Sequence, residues 1–413
     1  MERGLSVRRL AIAALVASTS IASAQVDFPA FKTQEVDKSY TVGYATLLVD
    51  VNHDKKTDIV VVDSKRVIWY ENPTWNRRTI IEGQTKPDNV CISAADIDGD
   101  GLLDFALGAD WRPADTKNSG SLQWLKRGKT LDDPWTIYPI GNEPTLHRIR
   151  FADLDGTGRP LLIVGPLFGR GSSRAKNWMD RPLRLIAFHI PRNPTKDRWL
   201  PEIIDESLHV MHNFWPFPVK GSKRMDILTA SYEGVHRFSK VDGKWRRIKI
   251  GSGNQENPQG RRGASEVKLG HIDNGKREVI ATIEPWHGHE VVVYTPPKDR
   301  AQTLWDRHVI DNELRWGHAV WFADLDRDGS DELIIGVRDD PNKSDTFKWR
   351  RGVRIYKALD KTGTKWARKI LENGDMACED LAAADLDGDG YPEIVAVGRQ
   401  THNLRIYWNK GRK

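Results

Sequence analysis

The sequence predicts an all-β protein, a seven-bladed β-propeller of four-stranded blades with the ring closed by the N-terminal strand. Three observations carry this. An acidic glycine turn flanked by short apolar runs recurs along the chain, and a Trp-led strand pattern recurs in phase with it. The last repeat lacks its Trp-led strand, while the start of the chain holds a spare one.

The repeat is clearest from Leu381 to Gly398, where Leu381–Ala384 and Glu393–Val397 read as two strands of one antiparallel hairpin. Between them Asp385, Asp387, Asp389 and Glu393 stand at positions 1, 3, 5 and 9 of a tight loop, with Gly388 and Gly390 at places that favour positive φ. Near copies hold Asp96, Asp98, Asp100 and Asp104, and Asp324, Asp326, Asp328 and Glu332. Asp50, Asn52, Asp54 and Asp58 form another copy, Asp153 to Gly158 a partial one, and His271 and Pro218 mark weaker ones.

The second mark is a Trp followed five residues on by an aliphatic residue, as in Trp75–Ile80, Trp135–Ile140, Trp199–Ile204, Trp245–Ile250, Trp305–Ile310 and Trp366–Leu371. Polar residues between them suit an outer strand half open to water. Each follows a short aromatic and β-branched strand such as Val67–Tyr70 or Val353–Tyr356, which makes four strands per unit. After Leu404–Trp408 no such strand remains, and Phe31–Val36 fits the pattern with Phe for Trp. The N-terminal strand is therefore expected to complete the seventh blade and remove an unpaired edge.

Composition narrows the partners. The 413 residues carry 63 basic and 57 acidic side chains, a formal charge of +6 spread without a basic block. Nucleic acid is not an expected partner. Arg3, Arg8 and Arg9, the apolar run Leu10–Val16 and Ala22-Ser-Ala24 read as a secretory signal over residues 1–24, followed by one propeller domain over 25–413. Arg8-Arg9 also gives a weak twin-arginine match. The expected location is periplasmic or extracellular, with no membrane span, as a monomer or weak oligomer. Cys91 and Cys378 lie on first strands of non-neighbouring repeats and are expected as separate buried thiols.

Six residues before each turn stand Tyr44, Val90, His147, His212, Ser265, His318 and Glu379, one structural register at the channel mouth. His147, His212, His318 and Glu379 together suit zinc or a similar divalent ion. Asn89, Arg148, Asn213, Glu266 and Asp380 flank them. The alternative is that polar residues line the channel because it is wet.

Loops after the second strands reach the same face with Asp110-Trp-Arg112, Tyr232-Glu233, Glu284-Pro-Trp-His287-Gly-His289, Arg338-Asp-Asp340, Arg399 and His402. The longest, Gly165–Pro182, carries Arg170, Arg174, Asn177 and Trp178 and reads as a lid. A bowl of Trp and Arg suits a carbohydrate, with Trp286 and Trp316 the expected stacking surfaces. The acidic turns on the opposite face suit structural calcium, or else cap their own backbone without metal.

The acidic hairpins resemble the repeats of the FG-GAP or VCBS group of secreted propellers over essentially the whole chain after residue 24. His212-Asn-Phe-Trp-Pro, Glu284 to His289 and Trp316 to Asp324 resemble the propeller domain of the aldos-2-ulose dehydratases. That resemblance implies metal-dependent elimination of water from keto-sugars such as 1,5-anhydrofructose. It does not extend to the cupin-like domains of the fungal members, so it implies no isomerisation step.

The resulting expectation is a carbon–oxygen lyase that abstracts a proton beside a carbonyl and stabilises the enolate with a divalent ion. His287 or His289 is the expected base, Tyr232 the proton donor, and Arg338 and Arg399 the anion clamps. A non-catalytic propeller that binds carbohydrate or protein is the alternative. A hydrolase is a third reading, without a Gly-x-Ser-x-Gly elbow or a paired acid and base to support it.

Overall fold

The alternation of apolar and acidic stretches resolves into seven sheets, each of four antiparallel strands, in a computed structural model that describes residues 26–299, 301–338 and 351–411. The expected signal segment, with Arg8 and Arg9, lies outside the described residues, as do Asp339 and Asp340.

Blade one comprises Gly43–Val49, Asp58–Asp63, Arg66–Glu71 and Asn76–Glu82. The innermost strands of blades two to six are Cys91–Ala95, Leu146–Ala152, Met211–Pro218, Glu266–Ile272 and Gly317–Ala323. Blade seven takes Cys378–Ala384, Glu393–Gly398 and Leu404–Asn409 from the C-terminal region and Phe31–Asp37 as its outermost strand. Phe31 pairs with Asn409 and Glu35 with Arg405, so the expected closure is present.

The second strand of each blade is covered on both faces, which explains its unbroken apolar character. In blade one every residue of Asp58-Ile-Val-Val-Val-Asp63 is buried. Each such aliphatic side chain contributes roughly 1.5–3 kcal/mol on burial. Third strands place Tyr70, Phe188, Phe238, Tyr294, Tyr356 and Tyr407 at one equivalent position, all buried between blades, with Leu125 there in blade two. Cys91 and Cys378 are free and buried. Each packs over a glycine, Gly108 or Gly336, where a Cβ would collide with the sulfur.

The acidic turns are held largely by their own hydrogen bonds. Asp385 accepts from Gly388 N–H at 2.8 Å and Gly390 N–H at 2.9 Å, and both glycines have positive φ. Glu393 reaches back to accept from Leu386 N–H at 2.8 Å. Asp96 repeats the first arrangement, Asp324 accepts instead from Asp328 and Gly329 N–H, and Glu332 repeats the second. This is the side-chain capping that makes Asp and Asn turn residues.

Candidate functional site at the channel mouth

Five innermost strands share a local irregularity. The pairing register slips between residues 43 and 45, 146 and 148, 211 and 213, 317 and 319, and 378 and 380. The extra residues at these bulges are Tyr44, His147, His212, His318 and Glu379. A bulge re-aims a side chain out of the regular alternation, and all five line one cavity of about 660 Å³ at the channel mouth. Blade five has no such slip, and its register residue Ser265 is absent from the lining. The loop of that blade contributes His287 instead.

His212, His287 and His318 bring ring nitrogens within 4.8 Å of one another, and all three are buried. Nε2 of His287 lies 2.7 Å from Nε2 of His212. His287 and Trp316 both have left-handed backbone, φ 50° and 51°, an arrangement that clusters at functional sites. Gly288 follows His287 because a Cβ there would strike the Glu284 backbone. The Trp286 ring stacks on His287 at 4.1 Å, fixing the imidazole plane.

Partners on the far side of two rings set their tautomers. His212 Nδ1 meets Glu266 Oε1 at 2.7 Å, and His318 Nδ1 meets the Glu379 carbonyl oxygen. Both partners accept, so the protons sit on Nδ1 and the Nε2 lone pairs face the cluster. Burial, followed by His212 for His287 and by Arg338 for His318, pushes both well below the ordinary value. Burial outweighs Glu266 to lower His212 as well. Neutral imidazoles with inward lone pairs, one braced by a carboxylate, are the donor set a divalent ion requires.

The remaining expected residues separate. His147 stands beside the group, its ring 4.5 Å from that of His212. Its Nδ1 donates to the His212 carbonyl at 2.9 Å and its Nε2 accepts from Arg148 at 3.2 Å, which turns both nitrogens away from the trio. Glu379 lies in the cavity 3.8 Å from His318 Nε2, with Arg399 at 3.1 Å and Arg338 at 3.5 Å. The two arginines expected as anion clamps thus converge on one carboxylate.

Three expectations are corrected. His289 is exposed and outside the cavity lining, because the turn at Gly288 carries it outward, so it is not placed as a base. His287, the other expected base, belongs to the three-histidine group. Tyr232 is buried behind Trp286 with its hydroxyl 3.5 Å from Asn177 Oδ1, so it does not face the cavity as a proton donor. Asp110 is paired with Arg112, Glu233 with His209, and His402 is exposed against the Thr41 carbonyl.

Other groups complete the cavity, and of these Arg261 was not legible in the sequence. Tyr44 offers the cavity a hydroxyl that donates to Asp88 at 2.7 Å. Arg261 spans the mouth, its guanidinium 4.4 Å from the Trp316 ring centroid and 5.3 Å from that of Trp286. Trp111 and Trp178 complete the aromatic wall, with Trp178 stacked on Phe168 at 4.1 Å. The blade-three loop that carries Trp178 is tied to the blade-four–five connection through Asn177 Nδ2 and the Gly260 carbonyl at 3.0 Å.

On the opposite face, three carboxylates converge in each of the turns at Asp96, Asp324 and Asp385. Lys126 enters the first and binds Asp98 and Asp100; Lys357 enters the second and binds Asp326, Asp328 and Glu332. In blade seven the equivalent strand position, next to Tyr407, is Trp408.

A ring of seven four-stranded sheets with histidines gathered on its axis defines the class, a seven-bladed β-propeller, and residues 50–107 are similar to the FG-GAP-like repeat model. More specifically, residues 119–298, which include His147, His212 and His287, match the model of the aldos-2-ulose dehydratase β-propeller domain. The chain is 28% identical over 297 residues to aldos-2-ulose dehydratase of Phanerodontia chrysosporium, covering 67% of this chain and 32% of that protein. It therefore spans about a third of the length of that relative.

Solved structures share the fold at low identity. The extracellular domain of a one component system from B. thetaiotaomicron matches with a TM-score of 0.51 and 12% identity, over 91% of this chain and 39% of that one. A chain of the mitotic checkpoint complex matches with a TM-score of 0.56 and 10% identity, over 98% and 99%.

Proposed function

We propose that the axial cavity is the active site of a metal-assisted carbon–oxygen lyase that acts on a keto-sugar or a related carbohydrate. The observation that carries this is the convergence of His212, His287 and His318 inside an arginine- and tryptophan-lined cavity. The similarity to the dehydratase propeller domain supports the reaction class.

His212, His287 and His318 would hold a divalent ion such as zinc, which supplies a Lewis acid for a substrate carbonyl. The chain's own residues account for the rest. Trp286 and Trp316, bridged by Arg261, form an aromatic wall against which a sugar would lie. Glu379, held between Arg338 and Arg399, is placed to take the proton from the carbon beside the carbonyl. Tyr44, whose proton is retained because burial and Asp88 raise its pKa, is placed to give a proton to the departing oxygen. A double bond forms between the two carbons and water leaves, with no oxidant required.

The test uses purified full-length chain with 1,5-anhydrofructose, following the near-ultraviolet absorbance of an enone. Absorbance should rise with zinc present and stop after chelation or in His212→Ala. Undiminished turnover in both would overturn the proposal. Saturable sugar binding without turnover, unaffected by His212→Ala, would favour a carbohydrate-binding propeller instead.

A further inference from the structure

Three residues past each register position the innermost strands form a second layer around the axis. It includes Arg150, Trp215, Lys268 and Trp321, and it lines a cavity of about 200 Å³. Lys268 is 5% exposed. Its ammonium lies 3.1 Å from the Trp215 ring centroid and 4.9 Å from that of Trp321, and it forms no hydrogen bond or ion pair among the described residues. Arg150 approaches the same Trp215 ring at 5.4 Å and donates to the Ile149 carbonyl.

The carboxylates nearby are engaged elsewhere. Asp380 turns both oxygens to backbone N–H groups, those of Thr46 and Leu381, each at 3.0 Å. Glu266 gives its oxygens to His212 and Asn213 and stands 3.9 Å from Arg148. Arg148, Arg150 and Lys268 therefore outnumber Asp380 and Glu266 around this cavity, with Lys268 itself buried. An unpaired charge in such a place is costly. Aromatic faces stabilise a cation only in part.

We propose that the axial channel binds a small monovalent anion, of halide size, between Lys268 and Arg150. Without it burial, and next the charge of Arg150, pushes the lysine well below its ordinary value. With it the excess positive charge is neutralised. Gluconate, monovalent like bromide but bulkier and without a single-atom charge, controls for ionic strength. This site is distinct from the proposed catalytic one and stands or falls independently of it.

The probe is bromide. Crystals of the full chain grown in sodium bromide should show an anomalous peak in the channel within hydrogen-bond reach of Lys268 Nζ; absence of a peak there overturns the proposal. In solution, Tm should rise saturably, by a few degrees, in bromide relative to equimolar gluconate. Lys268→Met should lose that difference, and an unchanged difference in the variant would place the effect elsewhere and overturn the proposal. Should Lys268→Met fail to fold, the diffraction measurement on the unsubstituted chain decides.

Discussion

His212 of blade four donates its Nδ1 proton to Glu266 of blade five across 2.7 Å, and this bond points the opposite nitrogen at His287 and His318. Burial alone would raise the Glu266 carboxyl, but the hydrogen bonds from His212 and Asn213 and the charge of Arg148 hold it below its ordinary value. Glu266→Gln should preserve the propeller's circular dichroism while lowering zinc retention about 10–100-fold, the usual effect of losing the partner behind a ligating histidine. Equilibrium dialysis against zinc checks this, and unaltered retention would show that the carboxylate does not prepare the ligand.

Arg261 should act on binding rather than on chemistry. It touches Trp286 and Trp316 at the mouth and lies outside the histidine group. Arg261→Ala should raise KM by roughly 5-fold, about 1 kcal/mol of cation–π and stacking contact, with kcat nearly unchanged. A fall in kcat alone would place this arginine in the reacting assembly.

Lys357 and Trp408 predict opposite responses to calcium on the far face. Lys357→Met removes the ammonium that Asp326, Asp328 and Glu332 surround, and should destabilise the chain by ~3 kcal/mol because buried carboxylates lose their partner. Calcium should restore most of that loss, read as Tm with and without chelator. Trp408 supplies no cation to the Asp385 turn, so in the unsubstituted protein the proposed structural calcium should depend on Asp385 and not on Asp324. Equal loss of calcium-induced stability in Asp385→Asn and Asp324→Asn would contradict this.

His236 sets an acid limit away from the site. Burial, then the charges of Arg247 and Lys249, lowers its imidazole to about 4. In the unfolded chain the ring takes a proton near the ordinary value of 6.5, while the folded ring does not until about 4. Its contribution is complete above that ordinary value and drains away as pH falls through this window, by about 3 kcal/mol at most. Urea midpoints measured across the window should fall with acidity, and His236→Asn should flatten the profile. An identical slope in the variant would assign the acid sensitivity to other groups.

The fold was legible because its signals are local and repeated. A turn built on Asp385, Gly388 and Gly390 announces itself through spacing alone, and the missing strand after Trp408 pointed directly to Phe31. The site was only half legible. His212 and His318 share a register that counting reveals, but His287 comes from a loop whose course depends on Gly288. His289 and Tyr232 looked equivalent to it in sequence because nothing local shows which way a loop residue turns. The bulges at His147, His212 and His318 left no compositional trace, since a slip of pairing register is a property of two strands. Lys268 went unread because a lysine on an inner strand resembles any surface lysine until the strand is placed on the axis.

The pairing of Phe31–Asp37 with Leu404–Asn409 has a temporal consequence. During synthesis the early strand must wait, unpartnered, while almost the whole chain is made. Closure of the ring sets that final blade against the first, where the Arg399 guanidinium lies 5.3 Å from the Tyr44 ring centroid. One pairing between the two ends of the described chain thus fastens the ring and sets one wall of the axial cavity.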